Sequence, residues 1–421
     1  MATEFDSLDD AWTAWLDGQS EAALRACVSI LEADGSQDAA ASLLALALAD
    51  THEEARERAS ELVDVFIDRG DLPRAVVMAK VARDGLDRVA EAFAVGSDRV
   101  AAVPPMPPPL PPASLRPVTD SGDALVSRGL KALRERPRSS DRQSVPQLPL
   151  FGALGPADLE ALLEAFEVRD VRTGEVVVAE GGEGTEAYIV VRGMLQAVRG
   201  EGDSATVLAE LGPGSIFGEM ALVSGAPRAA SVIATEPVQL LVGPVKRLEE
   251  LSSRAPNLGR ELSEFCRARM VANLMRHSRI LAAVDADRRE SLIDRFETVT
   301  FDAGDVLVER DAPASGLLLI ASGHVRVLGV DADGDELVVA ELGPGDVVGE
   351  IGLVLRRPAT ADVVATHRTV ALRLTAAEFQ DAIREHPTLL GELYELAAKR
   401  DEEMRTVVAQ ETLDVEDIVL L

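Results

Sequence analysis

Aromatic side chains make up only 3% of the 421 residues, so the cores must be built from leucine, valine and alanine rather than from large rings. Cysteine is nearly missing as well. Cys27 and Cys266 stand in different parts of the chain, each inside an apolar helical pattern, which argues against a disulfide framework and for two small core residues in a reducing compartment. Positive charge is in deficit, with 42 Lys and Arg against 72 Asp and Glu and a formal charge of −30. A field of that sign repels nucleic acid and anionic lipid unless a local basic patch overrides it, so neither DNA nor membrane is an expected partner. The longest apolar run, Ala39 to Ala49, is too short to span a bilayer, and the start, MATEFDSLDDAW, lacks the basic and apolar regions of a secretory signal. The expected location is cytoplasmic. His52, His277, His324, His367 and His386 share no motif, and no nucleophile–base pair, metal-ligand cluster or Walker-type loop is present. The chain is therefore expected to be neither an enzyme nor a metalloprotein, and to need no cofactor.

What is present divides the chain. With 47% hydrophobic and 27% charged residues the composition is that of a folded protein, and the length suggests about three domains. From Leu8 to about Asp98 apolar residues recur at helical spacing, as in Ala11, Ala14, Trp15, Ala22, Leu24, Cys27, Ile30 and Leu31. The phrases LDGQSEAALRACVSILEAD and IDRGDLPRAVVMAKVARD each set a Gly-containing turn before an Ala-rich helix. This pattern over residues 1–100 resembles tetratricopeptide-type helical hairpins, which implies a partner-binding solenoid; a small helical bundle packed on its neighbours fits equally. Residues 101–147 read as a linker. Its first part, AAVPPMPPPLPPASLRP from Ala101 to Pro117, is a polyproline II spacer, and its second gathers Arg128, Lys131, Arg134, Arg136, Arg138 and Arg142 near Ser139 and Ser140. That island reads either as a kinase docking segment or as a linker meeting an acidic domain.

From Leu148 onward short strands alternate with Gly-rich turns: GEVVVAE, EAYIVVRG, MLQAVRG and TVLAELGPGSIFGE. The same order returns as GDVLVER, GLLLIASG, HVRVLGV and LVVAELGPGDVVGE. Gly174, Gly193 and Gly212 are answered by Gly304, Gly323 and Gly343, at offsets of 130, 130 and 131 residues. A duplicated jelly-roll or β-roll domain accounts for this, the single inserted residue falling where a hairpin loop absorbs length. The predicted fold class is multidomain α+β, with a helical N-terminal domain followed by two β-rolls carrying hinge and lid helices. The domains are assigned to residues 148–279 and 280–400, with an acidic tail over 401–421.

The most specific stretch is FGEMALVSGAPRAASV, Phe217 to Val232, which sets one carboxylate and one guanidinium around a Gly-led turn. It resembles the phosphate-binding cassette of cyclic nucleotide-binding domains, found in kinase regulatory subunits, catabolite activator-type factors and nucleotide-gated channels, and it matches that family's pattern at every fixed position. The resemblance implies a ligand site made of Gly218, Glu219, Met220, Ala221, Leu222, Arg228, Ala229, Ala230 and Ser231. Gly218 lets backbone approach the ligand, and Met220, Ala221 and Leu222 are expected to open a short helix whose free N–H groups attract a phosphate oxygen. Arg228 supplies the planar cation that a cyclic phosphate needs. Glu219, of like charge to phosphate, is implied by the family to accept the ribose 2′-hydroxyl, and Ser231 lies near the base. Cyclic AMP is the expected ligand, with cyclic GMP as the alternative.

The second copy, VGEIGLVLRRPATADV, departs from the pattern where the chemistry is least forgiving. Gly349, Glu350, Ile351 and Gly352 remain, but Ala359 replaces the arginine, Thr360 follows it, and Asp362 replaces the small hydroxyl residue. Two carboxylates without an arginine in register are expected to remove nucleotide affinity, unless Arg356 or Arg357 substitutes. The helical stretches after each roll are implied to be hinge and lid, with Val245 to Ile280 as the relay; Phe265 and Met270 are read as core residues, with a lid residue stacking on the base as the alternative for either. The function expected is a non-catalytic cyclic nucleotide sensor that signals through its helical N-terminus to a protein partner. The alternatives are the regulatory subunit of a kinase-like enzyme and a structural scaffold with degenerate sites. A transcription factor is not expected, because DEEMRTVVAQETLDVEDIVLL after Arg400 is too short and too acidic for a helix-turn-helix.

Overall fold

A computed structural model describes residues 7–95, 115–136, 153–200, 202, 205–220, 227–330 and 335–419, with backbone alone at 277, 290 and 408–419. Contacts divide the chain into two compact units: Met1–Glu219 with Arg228–Leu262, and Met220–Pro227 with Ser263–Leu421.

The first unit begins with six helices, Leu8–Leu16, Ser20–Ala33, Asp38–Ala49, Glu53–Arg69, Leu72–Ala82 and Leu86–Phe93, each packed on the next. Local chemistry sets their ends. Ser7 accepts from the backbone N–H of Asp10, and Asp71 accepts from that of Arg74 ahead of a proline in the first turn of the fifth helix. Gly70 closes the fourth helix at φ 76°, the left-handed conformation a C-cap requires. Ala, Leu, Val and Phe66 fill the interior, as the scarcity of aromatics demands. Both cysteines are free and buried, and burial pushes the Cys27 thiol up to about 12.

A seventh helix, Gly122–Arg134, lies inside the stretch read as a linker and packs against the second, third and fourth helices. Its cations explain the difference. Arg128 binds Glu32 and Asp120, Arg134 binds Glu54, and Arg136 just beyond it pairs with buried Asp38, which Arg69 also meets. The acidic helices thus take up the basic island through Arg136. The rest of that island, with Ser139 and Ser140, and most of the proline run lie outside the described residues.

Eight strands follow in the first unit: β1 Glu167–Val171, β2 Val176–Val178, β3 Glu186–Arg192, β4 Leu195–Arg199, β5 Thr206–Leu211, β6 Ile216–Phe217, β7 Ser231–Ala234 and β8 Val238–Pro244. They form two four-stranded antiparallel sheets, ordered β1-β8-β3-β6 and β2-β7-β4-β5. The second unit repeats this with β9 Glu297–Phe301, β10 Val306–Val308, β11 Gly316–Ser322, β12 Val325–Val330, β13 Glu336–Leu342, β14 Val347–Val348, β15 Asp362–Ala365 and β16 Thr369–Thr375. Its sheets are β14-β11-β16-β9 and β10-β15-β12-β13, the same topology strand for strand. Even the irregularities recur: register breaks at Val176/Val178, Val190/Arg192 and Ala197/Val198 return at Val306/Val308, Ile320/Ser322 and Val327/Leu328. The predicted α+β architecture with two β-rolls is what the chain adopts.

Period-two alternation puts Leu318 and Ile320 of β11 into the roll interior while Leu317, Leu319 and Ala321 face a helical layer. That layer includes Ala376–Glu385, started by a capping box between Thr375 and Glu378, and the long helix Pro387–Val419. Met270 is buried in this cluster, as a core residue. The helix Pro256–His277 spans the boundary between the units. In the first unit Arg192, on β3, joins roll to helices: it is buried, its guanidinium carbon sits 4.7 Å from the Trp12 ring centre, and it donates to Asp9 and to the Pro237 carbonyl. No helix among the described residues is long and apolar enough to cross a membrane.

Candidate functional site

The first cassette is built on the end of β6, which pairs with β3 at Tyr188 and Ile189. The chain then turns through Gly218 at φ 76°. A Cβ there would lie 2.9 Å from Arg228 Nη1, 2.9 Å from the Glu186 carbonyl oxygen and 3.1 Å from Tyr188 Cδ2, so only glycine fits in both space and conformation. Arg228 is clamped by its own backbone: its N–H donates to the Gly182 carbonyl at 2.9 Å and its carbonyl accepts from Gly181 N–H at 2.9 Å. The side chain then reaches back, Nη1 donating to the Gly218 carbonyl at 3.0 Å and Nη2 to the Glu186 carbonyl at 2.6 Å. Tyr188 stacks on Phe217 at 4.7 Å, with the Arg228 guanidinium 5.9 Å from its ring centre.

Electrostatics around Arg228 are arranged by the neighbouring strand. The Glu186 carboxylate receives two bonds from Arg169, at 2.9 and 2.6 Å, and one from the Tyr188 hydroxyl at 2.7 Å. The Arg169 hydrogen bonds are the main reason its carboxyl is held below the usual range, and burial followed by the Glu186 hydrogen bond pushes Tyr188 up to about 12. Burial lowers the Arg228 pKa, opposed by Tyr188, Glu186 and Glu219, yet arginine starts so high that it stays cationic. Both of its hydrogen bonds run to neutral carbonyl oxygens, which orient the charge without neutralising it.

The structure brings Gly218, Glu219 and Arg228 together, with Glu219 buried. Ala229 and Ala230 lead into β7, and the Ala229 carbonyl accepts from Arg199. Ser231 Oγ accepts from the Glu180 backbone N–H at 2.9 Å. Met220 groups with the second unit, and Ala221 and Leu222 lie outside the described residues, so the expected helix of the first cassette does too.

The second cassette copies this frame with different side chains. Gly349, at φ 87°, caps the helix Glu350–Leu355, and a Cβ there would sit 2.5 Å from the Gly316 carbonyl. Ala359 takes the clamped position of Arg228: its N–H donates to the Ala312 carbonyl at 3.0 Å and its carbonyl accepts from Asp311 N–H at 2.9 Å. Asp362 takes the place of Ser231, its carboxylate accepting from Arg310 N–H at 2.8 Å. No arginine of the cassette stands in register with either expected carboxylate, and each finds its partner elsewhere. Buried Glu350 is met by Arg400, from the Pro387–Val419 helix, at 2.9 Å; the same guanidinium donates to the Val347 carbonyl at 2.5 Å and comes within 3.8 Å of Asp346. Arg357 binds Asp401 on the same helix, and Arg356 is an exposed helix cap at φ 52°. Ile351, Gly352 and Thr360 are half-buried around this pair. Arg400 escapes a reading of the cassette because it lies 50 positions from its partner in a polar helix with no local motif. Among the described residues no group of three or more His, Cys, Asp or Glu side chains is placed to hold a metal.

Residues 168–255 and 298–386 match the cyclic nucleotide-binding domain family. The chain is 33% identical to a cAMP-dependent protein kinase regulatory subunit of Dictyostelium discoideum, over 49% of this chain and 62% of that relative, so it spans less than two thirds of the relative's length. Among solved structures, the regulatory domain of Toxoplasma gondii PKA with cAMP aligns at 24% identity and a TM-score of 0.28, covering 60% of this chain and 92% of that one. The catabolite activator protein of Thermus thermophilus aligns at 26% identity and a TM-score of 0.28, covering 33% and 62%.

Proposed function

We propose, for a chain that carries two cyclic nucleotide-binding domains in tandem, a non-catalytic sensor whose first domain takes one cyclic nucleotide and whose second takes none. The observation that carries this reading is Arg228, a half-buried cation oriented by two neutral carbonyls beside the Gly218 turn. A guanidinium has five N–H donors, and two are used among the described residues, which leaves others to grip an equatorial phosphate oxygen. Buried Glu219 accepts the ribose 2′-hydroxyl, the role its family position implies. Ser231 already spends a lone pair on Glu180 N–H, which lowers its value to a guanine amino group and favours cyclic AMP over cyclic GMP.

Occupancy passes to a protein partner through the N-terminal helices, which form one compact unit with the first roll and are tied to it by Arg192, Trp12 and Asp9. The Dictyostelium relative supports a second, compatible reading, in which that partner is a kinase catalytic subunit. Against simple docking through the basic island, Arg128, Arg134 and Arg136 are already paired within the chain. The deciding experiment is calorimetric titration of the full chain with cyclic AMP and cyclic GMP beside Arg228→Ala. The reading expects the variant to lose at least a hundredfold in affinity, from about 3 kcal/mol of charge-assisted hydrogen bonding. Unchanged affinity in the variant would remove it. Activity of a co-purified kinase with and without nucleotide separates the two readings of the partner.

A further inference from the structure

The second domain keeps a hollow where the first has its nucleotide site, and its walls are different in kind. A pocket of about 150 Å³, partly open to solvent, lies inside the second unit, walled chiefly by aliphatic side chains such as Val327, Val339 and Leu342, with Arg400, Glu403 and Met404 of the long helix also lining it. Met404 stands one helical turn beyond Arg400 on the Pro387–Val419 helix and is itself buried.

Charged side chains also line the pocket but are already matched, Glu403 by Lys399 at 3.5 Å. Arg400 binds Glu350, Arg357 binds Asp401, Asp362 caps the Arg310 N–H, and Ala359 fills the arginine position. A phosphate entering this space would lie against the buried Glu350 carboxylate with its compensating cation already engaged. Small apolar molecules such as benzene or xenon gain dispersion contacts against a mainly aliphatic lining of this kind.

We propose that the second domain binds a small, uncharged, mainly apolar molecule in this cavity. The site is independent of the first-domain nucleotide, and the Arg400–Glu350 contact holds the C-terminal helix across it as the cover. Its failure is therefore distinguishable from failure of the sensor reading, which rests on Arg228 alone.

The test uses the full chain with xenon and benzene as probes and saturating cyclic AMP present throughout. The proposal expects a saturable ¹²⁹Xe shift, displaced by millimolar benzene and retained in Arg228→Ala. It expects that shift to vanish in two separate cavity-filling variants, Ala361→Leu and Val339→Phe. Benzene should also move the Met404 methyl resonance of the wild-type chain, assigned through Met404→Leu, a readout that does not depend on either filled variant folding. No saturable xenon shift and no Met404 response, or a shift that survives in both filled variants, overturns the proposal. In a separate nucleotide-free sample of Arg228→Ala, displacement of xenon by added cyclic AMP would overturn the uncharged ligand class.

Discussion

Arg400→Met is the perturbation that most sharply probes how the second domain became different from the first. Glu350 has 3% of its side chain exposed and Arg400 has 18%, so their contact at 2.9 Å is a buried pair rather than a surface one. Removing one member of such a pair costs about 3–5 kcal/mol, mostly because the survivor is left buried and uncompensated. Arg400→Met strands the deeper charge and also removes the donor to the Val347 carbonyl, so it should fall in that range. Glu350→Gln leaves the less buried cation near Asp346 and should cost about 1–2 kcal/mol less. The double variant Glu350→Gln/Arg400→Met removes the stranded charge and should recover about 2 kcal/mol relative to the sum of the singles. Urea unfolding can resolve this, because Trp12 and Trp15 both lie in the first unit. Tryptophan fluorescence then follows that unit, while the part of the far-ultraviolet circular dichroism change that fluorescence does not share follows the second. A cost below about 1 kcal/mol for Arg400→Met, or strict additivity of the two singles, would refute the argument that a buried carboxylate depends on this arginine.

Two further outcomes follow from the first domain. Gly218→Ala forces a Cβ to 2.9 Å from Arg228 Nη1 in left-handed backbone, so it should destabilise the fold by about 1–2 kcal/mol and weaken cyclic AMP binding at least tenfold; thermal unfolding and titration check both. The Arg169 bonds hold the Glu186 carboxyl below its ordinary value, so the folded state binds fewer protons than the unfolded state between the two pKa values. Stability from this group is therefore present above the unfolded value near 4.5 and lost as pH falls through the folded value. With Arg169 41% exposed, screening keeps the term to about 1 kcal/mol at most, and wild type should lose that much more than Glu186→Gln between pH 6 and pH 3 in denaturant titrations.

The repeat was legible because turns and strand alternation are local. Gly174, Gly193 and Gly212 announced their partners in the second half, and the sheets repeat in the same order. The first cassette was legible for the same reason, since Gly218 and Arg228 are only ten positions apart and meet directly. What could not be read was long-range. Nothing near Glu350 signals Arg400, nothing in the second cassette shows that Asp362 would cap a backbone N–H, and Glu186 with Tyr188 shape the Arg228 environment from a strand 40 residues earlier. The helix Gly122–Arg134 was hidden by its charge, because a basic stretch read alone does not reveal that Glu32, Asp120 and Glu54 wait for it.

The most direct measurement of the central claim is equilibrium dialysis of the full chain against labelled cyclic AMP, with the number of nucleotides bound per chain counted at saturation. One equivalent, abolished by Arg228→Ala and untouched by Ala359→Val, is the result expected of a single working cassette. Two equivalents, or one that persists without Arg228, would contradict it.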